Sequence, residues 1–290
     1  VAEELHFARA AERLHIEQSP LSRAIKDLEY DLGVQLFERT TRSTRLTWAG
    51  QVFLDEARRV LSTLEQAKAS AKAAATGYRG TLRIALSDGI PPPRLVALLA
   101  QHREEEPEVE IRLFETTLAQ QLKGLSSGLY DAGFAHAADI GEGIIAEPVW
   151  IDPLVIAVPA RHPLLAHKRI PLEELGRYPL VLCHPEGCEG GHRQFERIFH
   201  TVDVQPIVAE HVTTFDLMMT LVAAGYGLGF ANKSHMTVYQ YPEVVFRLLA
   251  GRALTLTTYL LRPETEPSKP LSRFMGRAMP VKNMNSRDPA

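Results

Sequence analysis

Between Ala10 and Leu28, apolar residues stand at helical spacing on both sides of one short break, and no other stretch limits the fold as much. Ala10, Leu14 and Ile16 precede the break; Leu21, Ile25 and Leu28 follow it. At the break stands Gln18-Ser19-Pro20. Ser19 can accept a hydrogen bond from a free N–H of the new helix, and Pro20 suits a first turn, where no donor is needed. Two short helices joined this way, with small Ala10 and Ala11 allowing close approach, form a helix-turn-helix. The second helix offers Gln18, Ser19, Pro20, Ser22, Arg23 and Lys26 at its start, the end that enters a major groove. Double-stranded DNA is the expected partner.

The segments Q-S-P-L-S-R, I-x-x-L-E, D-L-G-V-x-L-F-E-R and R-L-T-x-A-G follow in order up to Gly50. This series closely resembles the amino-terminal domain of the LysR-type transcriptional regulators. The resemblance implies a hairpin wing lying along the phosphate backbone, here Arg39 to Arg45, with Arg42 and Arg45 as its contacts. It also implies a further helix before the first one seen here. The sequence starts at Val1 inside what resembles that helix's end, so a domain over 1–46 with its first helix largely missing is expected. The first 50 residues hold 7 Lys/Arg against 8 Asp/Glu, so a DNA footprint must come from arrangement. The expectation is Arg23, Lys26, Arg39, Arg42 and Arg45 on one face, with Glu29, Asp31 and Glu38 elsewhere.

A chain of 290 residues, 45% of them hydrophobic, can bury more than one core. Its net charge of −3 excludes a generally polybasic coat, and two cysteines do not make a secreted disulfide scaffold. No apolar run reaches membrane-spanning length, so a cytoplasmic protein without a membrane partner is expected.

From Thr47, a plausible N-cap, helix formers run to Thr76 interrupted only by Gly50. Phe53, Ala57, Val60, Leu64, Ala67, Ala71 and Ala74 recur at steps of four and three, a heptad seam. The seam predicts a dimerising linker helix over 47–77, and the family resemblance agrees. Gly77 to Gly80 then form a hinge.

From Thr81 onward, short apolar runs alternate with helical stretches, the pattern of parallel sheets covered by helices. TLRIALS (81–87) and VEIRLFE (109–115) read as strands, with a helix carrying Leu95, Leu98 and Leu99 between them. A second round starts at PLVLCHP (179–185), with a helix near Gln194 to Phe199 and a strand around Pro206 to Val212. Thr116-Thr117 is followed by Gly128 and Gly133-Phe134-Ala135; Thr213-Thr214 is followed by Gly225 and Gly229-Phe230-Ala231. Each is a strand, a Thr-capped helix, a glycine stop and another strand, which points to a duplicated unit. Two such lobes, crossed by Val149 to Pro159 and Leu254 to Arg262, enclose a cleft. The motifs P-x-V-x-I-x-L-x-E, G-x-x-D-A-G-F, V-P-x-x-H-P-L and L-V-A-A-G-x-G-L-G extend the LysR-type resemblance over nearly the whole chain. The fold class it implies is α/β: a winged helix-turn-helix, a linker helix and a two-lobed, type II periplasmic-binding-protein-like effector domain over 81–280. Lobe I would hold about 81–157 and 256–280, lobe II about 158–255, and the polar tail after Met279 would be disordered.

In open parallel sheets, ligands bind beyond the carboxyl ends of strands, where helix N-termini present unpaired N–H groups. Those points are Ser87-Asp88-Gly89, Thr116-Thr117, His184 and Thr213-Thr214, and they predict a small anionic effector. Helix capping by the Thr pairs is the plainer use of the same residues. Two departures from the family pattern, Leu118 in place of a Thr and Asn232 in place of a Pro, separate this pocket from those for simple aromatic acids.

Cys183, His184, Cys188 and His192 admit different chemistry, a zinc site or a redox-sensing thiol pair. One branch of the LysR-type family senses peroxide through cysteines. Cys183 ends a buried-looking strand and the loop carries no second metal-like pair, so a buried Cys183 and an incidental exposed Cys188 are favoured. Catalytic signatures are missing: no G-x-S-x-G, no H-E-x-x-H, no P-loop. Gly225, Gly227 and Gly229 follow a helix and precede a strand, the reverse of a dinucleotide loop. A solute-binding protein would not carry the DNA-binding arm. The reading is a non-enzymatic, ligand-responsive regulator without metal or cofactor, binding a dyad-symmetric site as a homodimer or homotetramer. RNA polymerase is a further partner that this reading admits.

Overall fold

The computed structural model describes residues 1–39, 43–75, 79–89, 92–200, 205–237, 241–251 and 254–279. The chain divides into two compact units, Val1–Lys68 and Ala69–Ala290.

In the first unit, α1 (Phe7–Arg13) and α2 (Gln18–Leu32) are followed by a hairpin of β1 (Phe37–Arg39) and β2 (Thr44–Leu46) and by α3 (Trp48–Ala75). Phe7, Ala10, Ala11, Leu21, Leu36 and Phe37 make its core, whereas Leu14 and Ile16 are exposed. One sequence expectation needs correcting. The residue that caps α2 is Glu17, without a side-chain bond, and Ser19 is already the helix's second residue. Glu29 is a second correction, since it does not stand apart from the basic face. Its carboxylate accepts from the N–H groups of Leu36 (2.9 Å) and Phe37 (3.0 Å) and pairs with Arg39 at 2.9 Å. The Arg39 guanidinium also lies 4.4 Å over the Phe7 ring. Two buried backbone donors at the wing's entry need an acceptor, and the carboxylate that supplies it draws in the nearest cation. Arg39 is thereby a structural strut.

Thr47 Oγ1 accepts from Gly50 N (2.8 Å) and caps α3. Along α3, Phe53 and Ala57 are half-buried and Val60, Leu64, Ala67 and Ala71 exposed; the side chain of Ala74, with Gly77 and Tyr78, lies outside the described residues.

The second unit is one sheet folded into two lobes. Lobe I contains β3 (Gly80–Leu86), α4 (Pro92–Glu105), β4 (Val109–Glu115), α5 (Leu118–Ser126) and β5 (Ala132–Ala135). Lobe II repeats it with β8 (Pro179–Cys183), α6 (Glu189–His200), β9 (Ile207–Val212), α7 (Phe215–Ala223) and β10 (Leu228–Asn232). Helix α6 thus starts ahead of the expected Gln194. The chain crosses between lobes along β6 (Ile144–Pro159), which carries β7 (Arg169–Ile170) and β11 (Val244–Leu249) at its far end, and returns through β12 (Thr255–Pro263) before α8 (Lys269–Ala278). Strands run β4-β3-β5-β12 in one lobe and β9-β8-β10-β6 in the other, the first three parallel and the fourth antiparallel. The two halves therefore share a strand order as well as a sequence pattern. Thr117 caps α5 and Thr214 caps α7, and Gly128 and Gly225 stop those helices at φ +72° and +83°, which side chains rarely adopt. Each lobe packs its own core, Phe134 on Trp150 at 4.8 Å in the first and Phe195 on Phe230 at 4.9 Å in the second. The tail from residue 280 lies outside the described residues.

Candidate functional site

In the first unit, α2 buries Leu21 and turns Gln18, Ser19, Pro20, Arg23 and Lys26 outward, with Ser22 half-buried. Gln18, Ser22 and Lys26 lie one helical turn apart on a single stripe. Arg23, Lys26 and Arg45 carry no ion pair among the described residues, unlike Arg13 and Arg39, which are held by Glu4 and Glu29. Arg45 sits opposite Glu38 across the hairpin. Arg42 falls outside the described residues.

In the second unit, the carboxyl ends of β3, β5, β8, β9 and β10 converge on a cavity of about 70 Å3. Asp88, Gly89, His136, Cys183, Cys188, Thr213, Asn232 and His235 supply its polar lining, and Phe195, Phe215, Phe230 and Leu256 its apolar walls. Asp88, Gly89 and Thr213 were expected there. Ser87, Thr116, Thr117, His184 and Thr214 are not in the lining. Thr117 and Thr214 are turned back to cap their helices, and Thr116 Oγ1 donates to Gln120 at 2.8 Å. His184 instead packs edge-on to His211 at 6.0 Å. A wider groove of about 590 Å3 crosses lobe I past Arg94 and Arg277, but Asp152 and Glu106 already hold those arginines.

Three straps close the lobes around the cavity. Asp88, buried and at φ +60°, accepts from His136 N (3.0 Å) in its own lobe and from Gly190 N (2.9 Å) in the first turn of α6. A Cβ on Gly190 would lie 2.6 Å from the Asp88 carboxylate and 2.8 Å from Ala137 N, so only glycine permits this approach. Gln194 of α6 exchanges bonds with both backbone groups of Thr257 (2.8 and 3.0 Å) and donates to the His136 carbonyl. Asp152, on the crossing strand, accepts from Arg94 (3.2 Å) and Ser234 (2.5 Å).

Burial pushes the His136 imidazole below its usual value, against the pull of Asp88 and the Thr257 carbonyl. Burial, and after it the neighbouring His136, lowers His235 to about 4. The two cysteines reverse their expected roles, since Cys188 is 6% exposed and Cys183 half-buried. Cys188 immediately precedes α6 and lines the cavity. The two thiols act on each other, Cys188 drawing Cys183 down from the usual thiol value and Cys183 pushing Cys188 up, with burial opposing the first shift and adding to the second. Among the described residues no His, Cys, Asp and Glu side chains are grouped to hold a metal ion.

Sequence reasoning missed His136, and gave Asn232 only as a departure from the family's pocket; it also missed His235, Phe195, Phe215, Phe230 and Leu256. A signal for the first two was present in the repeat. Extending Gly133-Phe134-Ala135 and Gly229-Phe230-Ala231 by one residue pairs His136 with Asn232.

Residues 1–51 match the family model described as "Bacterial regulatory helix-turn-helix protein, lysR family", and residues 75–279 match "LysR substrate binding domain". The chain is 31% identical to the transcriptional regulator YnfL of Escherichia coli K12, covering 94% of this chain and 92% of that one. It is 32% identical to the transcriptional regulator AlsR of Bacillus subtilis 168, over 85% and 82% of the two chains. Among solved structures, full-length CbnR in complex with its target DNA superposes with a TM-score of 0.69 at 28% identity, over 96% of this chain and 95% of that one.

Proposed function

The chain belongs to the LysR family of transcriptional regulators, and on that premise we propose that it binds a dyad-symmetric DNA site as an oligomer and is switched by a small effector in the interlobe cavity. The observation that carries the DNA half is the outward face of α2, where Arg23 and Lys26 stand, among the described residues, without acidic partners opposite buried Leu21. Gln18, Ser19, Pro20, Ser22, Arg23 and Lys26 read base edges, while Arg42 and Arg45 hold phosphates. Two readers on one two-fold axis require a dyad-symmetric site, and the exposed Val60, Leu61 and Leu64 of α3 offer the pairing surface. Replacing Val60 and Leu64 together by Glu should dissociate the assembly in analytical ultracentrifugation. A cytoplasmic location follows from the DNA role.

Binding titrations against a specific operator at several salt concentrations test the reading. Arg23→Ala should lose about 1–3 kcal/mol of specific affinity, whereas Arg45→Ala should weaken every sequence alike and flatten the salt slope by about one. Unchanged specific affinity in both variants would refute it.

The effector acts only through unequal affinity for two arrangements of the lobes, and the Asp88, Gln194 and Asp152 straps are the bonds that differ between them. Thr213, exposed at the cavity's edge, allows a clean test. Thr213→Trp should abolish the effector response and leave effector-free DNA binding intact. A second reading rests on the free thiols of Cys183 and Cys188, which line the same cavity and would join as a disulfide if an oxidant removed two electrons and both thiol protons. It predicts that Cys188→Ser abolishes the response and Thr213→Trp spares it.

A further inference from the structure

His136 and Asn232 occupy matching places in the two lobes, each three residues beyond the glycine of the shared Gly-Phe-Ala strand, and both line the cavity. They are 4% and 1% exposed. His136 Nδ1 lies 3.1 Å from the Thr257 carbonyl oxygen. A carbonyl only accepts, so the proton of the neutral ring sits on Nδ1 and Nε2 is left as a bare acceptor. No protein donor reaches Nε2 among the described residues. Burial keeps this ring neutral, since it lowers the imidazole below its usual value.

Asn232 shows the opposite polarity. Its Oδ1 accepts from His235 N–H at 3.1 Å, which fixes the amide's orientation. The Nδ2 group then has two hydrogens and no acceptor among the described residues. One lobe therefore presents a lone acceptor and the other a lone donor.

Charge and size narrow the ligand further. The lining holds one carboxylate, Asp88, and no Lys or Arg. The Asp88 oxygens already accept from Ser87 Oγ, His136 N and Gly190 N. An anion would be desolvated beside a carboxylate with no cation to meet it, and a cation would find three of the roughly four acceptor sites of those oxygens already taken. The rest of the wall is Phe195, Phe215, Phe230 and Leu256. At about 70 Å3 the cavity holds roughly five to seven water-sized groups, at 10–15 Å3 each.

We infer that the cavity takes a small neutral molecule of about three to five heavy atoms that donates to His136 Nε2 and accepts from Asn232 Nδ2. A carboxamide or a hydroxyketone has this chemistry. The inference rests on the cleft being the effector site and replaces the anion expected from the helix N-termini. A ligand of this size binds no tighter than the order of micromolar, so titrations must reach millimolar concentrations.

The test is a titration of the full chain with formamide, acetamide and hydroxyacetone, and with formate, acetate and glycolate as anions of matching size. The 15N-resolved signals of the His136 ring and the Asn232 side-chain amide report binding. The neutral compounds should shift both signals saturably, and the anions should leave them in place. Asn232→Asp turns the donor into an acceptor and should weaken neutral-ligand binding at least tenfold, read at the His136 ring. Asn232→Ala, which adds no charge, is the companion variant if the first does not fold. Shifts from the anions and none from the neutral compounds would overturn the inference while leaving the cleft as the effector site. Silence from all six compounds overturns it too, and the Thr213→Trp response then decides the fate of the cleft reading separately.

Discussion

In lobe I the turn after β3 sends Asp88 across the cleft to the first turn of α6; in lobe II the matching turn after β8 folds back on itself, where His184 Nδ1 accepts from Glu186 N at 3.2 Å. The two halves share strand order, a Thr cap and a glycine stop, so these features belong to the framework. They diverge where a strand end meets the other lobe, with Asp88 against His184 and His136 against Asn232. Duplication supplies a pair of equivalent positions, and the chemistry of the cavity lies in how each pair has been made unequal. A symmetric cleft would offer a ligand two donors or two acceptors; this one offers one of each.

Asp88→Ala is the sharpest way to break that contrast. It strands the His136 and Gly190 N–H groups, both buried, and each unpaired donor costs about 1–3 kcal/mol. The expected loss of about 2–6 kcal/mol should appear in urea unfolding of the second unit's transition. His184→Ala, at the matching turn, removes one weak acceptor and should cost below about 1 kcal/mol. Equal losses at the two turns would show that the straps do not distinguish the lobes.

Acid tests the same contrast through the histidines. His235, behind Asn232, titrates at about 4 in the folded chain, first because it is buried and then because His136 faces it, with Asp152 pulling the other way. Its unfolded value is near 6.5. The unfolded chain therefore binds the extra proton between pH 6.5 and 4, and stability falls as pH drops through that window. About 2 kcal/mol should be gone at pH 5 relative to pH 7.5, and His136, shifted in the same direction, adds to it. Glu106, held down to about 2 first by its hydrogen bond with Arg273, loses its contribution as pH falls from its ordinary value of 4.5 towards 2. Urea midpoints at the two pH values, repeated in His235→Asn, check this. A slope unchanged by that substitution would assign the acid sensitivity to other groups.

Much of the framework was legible because it is written in local patterns. The heptad steps from Phe53 and the doubled Thr-to-Gly spacing each describe a single element, whereas the break read at Gln18-Ser19-Pro20 lies earlier, between Arg13 and Gln18. The fine wiring was not legible, because it depends on contacts distant in sequence. Glu29 reads as an exposed helix charge until the wing's two N–H groups arrive beneath it. Cys188 reads as an exposed loop residue, yet it is buried at the cavity wall. Asp88 and Gly89 were found for the reason given, a strand end followed by a turn, but the same rule selected Thr117 and Thr214, whose hydroxyls are taken by their own helices. A rule about where strands end locates a cleft without saying which side chains are free to face it.

The smallest expected effect concerns those two threonines. Thr117 Oγ1 accepts from Gln120 N at 3.3 Å, and Gln120 reaches back to Thr117 N at 3.5 Å, a reciprocal box. Thr214 Oγ1 accepts from Leu217 N at 3.2 Å, and its helix carries Asp216 in the first turn in place of a returning side chain. Valine keeps the shape and removes the acceptor, so Thr117→Val and Thr214→Val should each cost about 1 kcal/mol in urea unfolding. The 3.5 Å return bond is too long to contribute much, so the two losses should agree within about 0.5 kcal/mol. Neither threonine lines the cavity, so ligand shifts at the His136 ring should be unaltered in both variants. A loss of ligand binding in either one would return that threonine to the cleft and make its lobe's helix terminus part of the site.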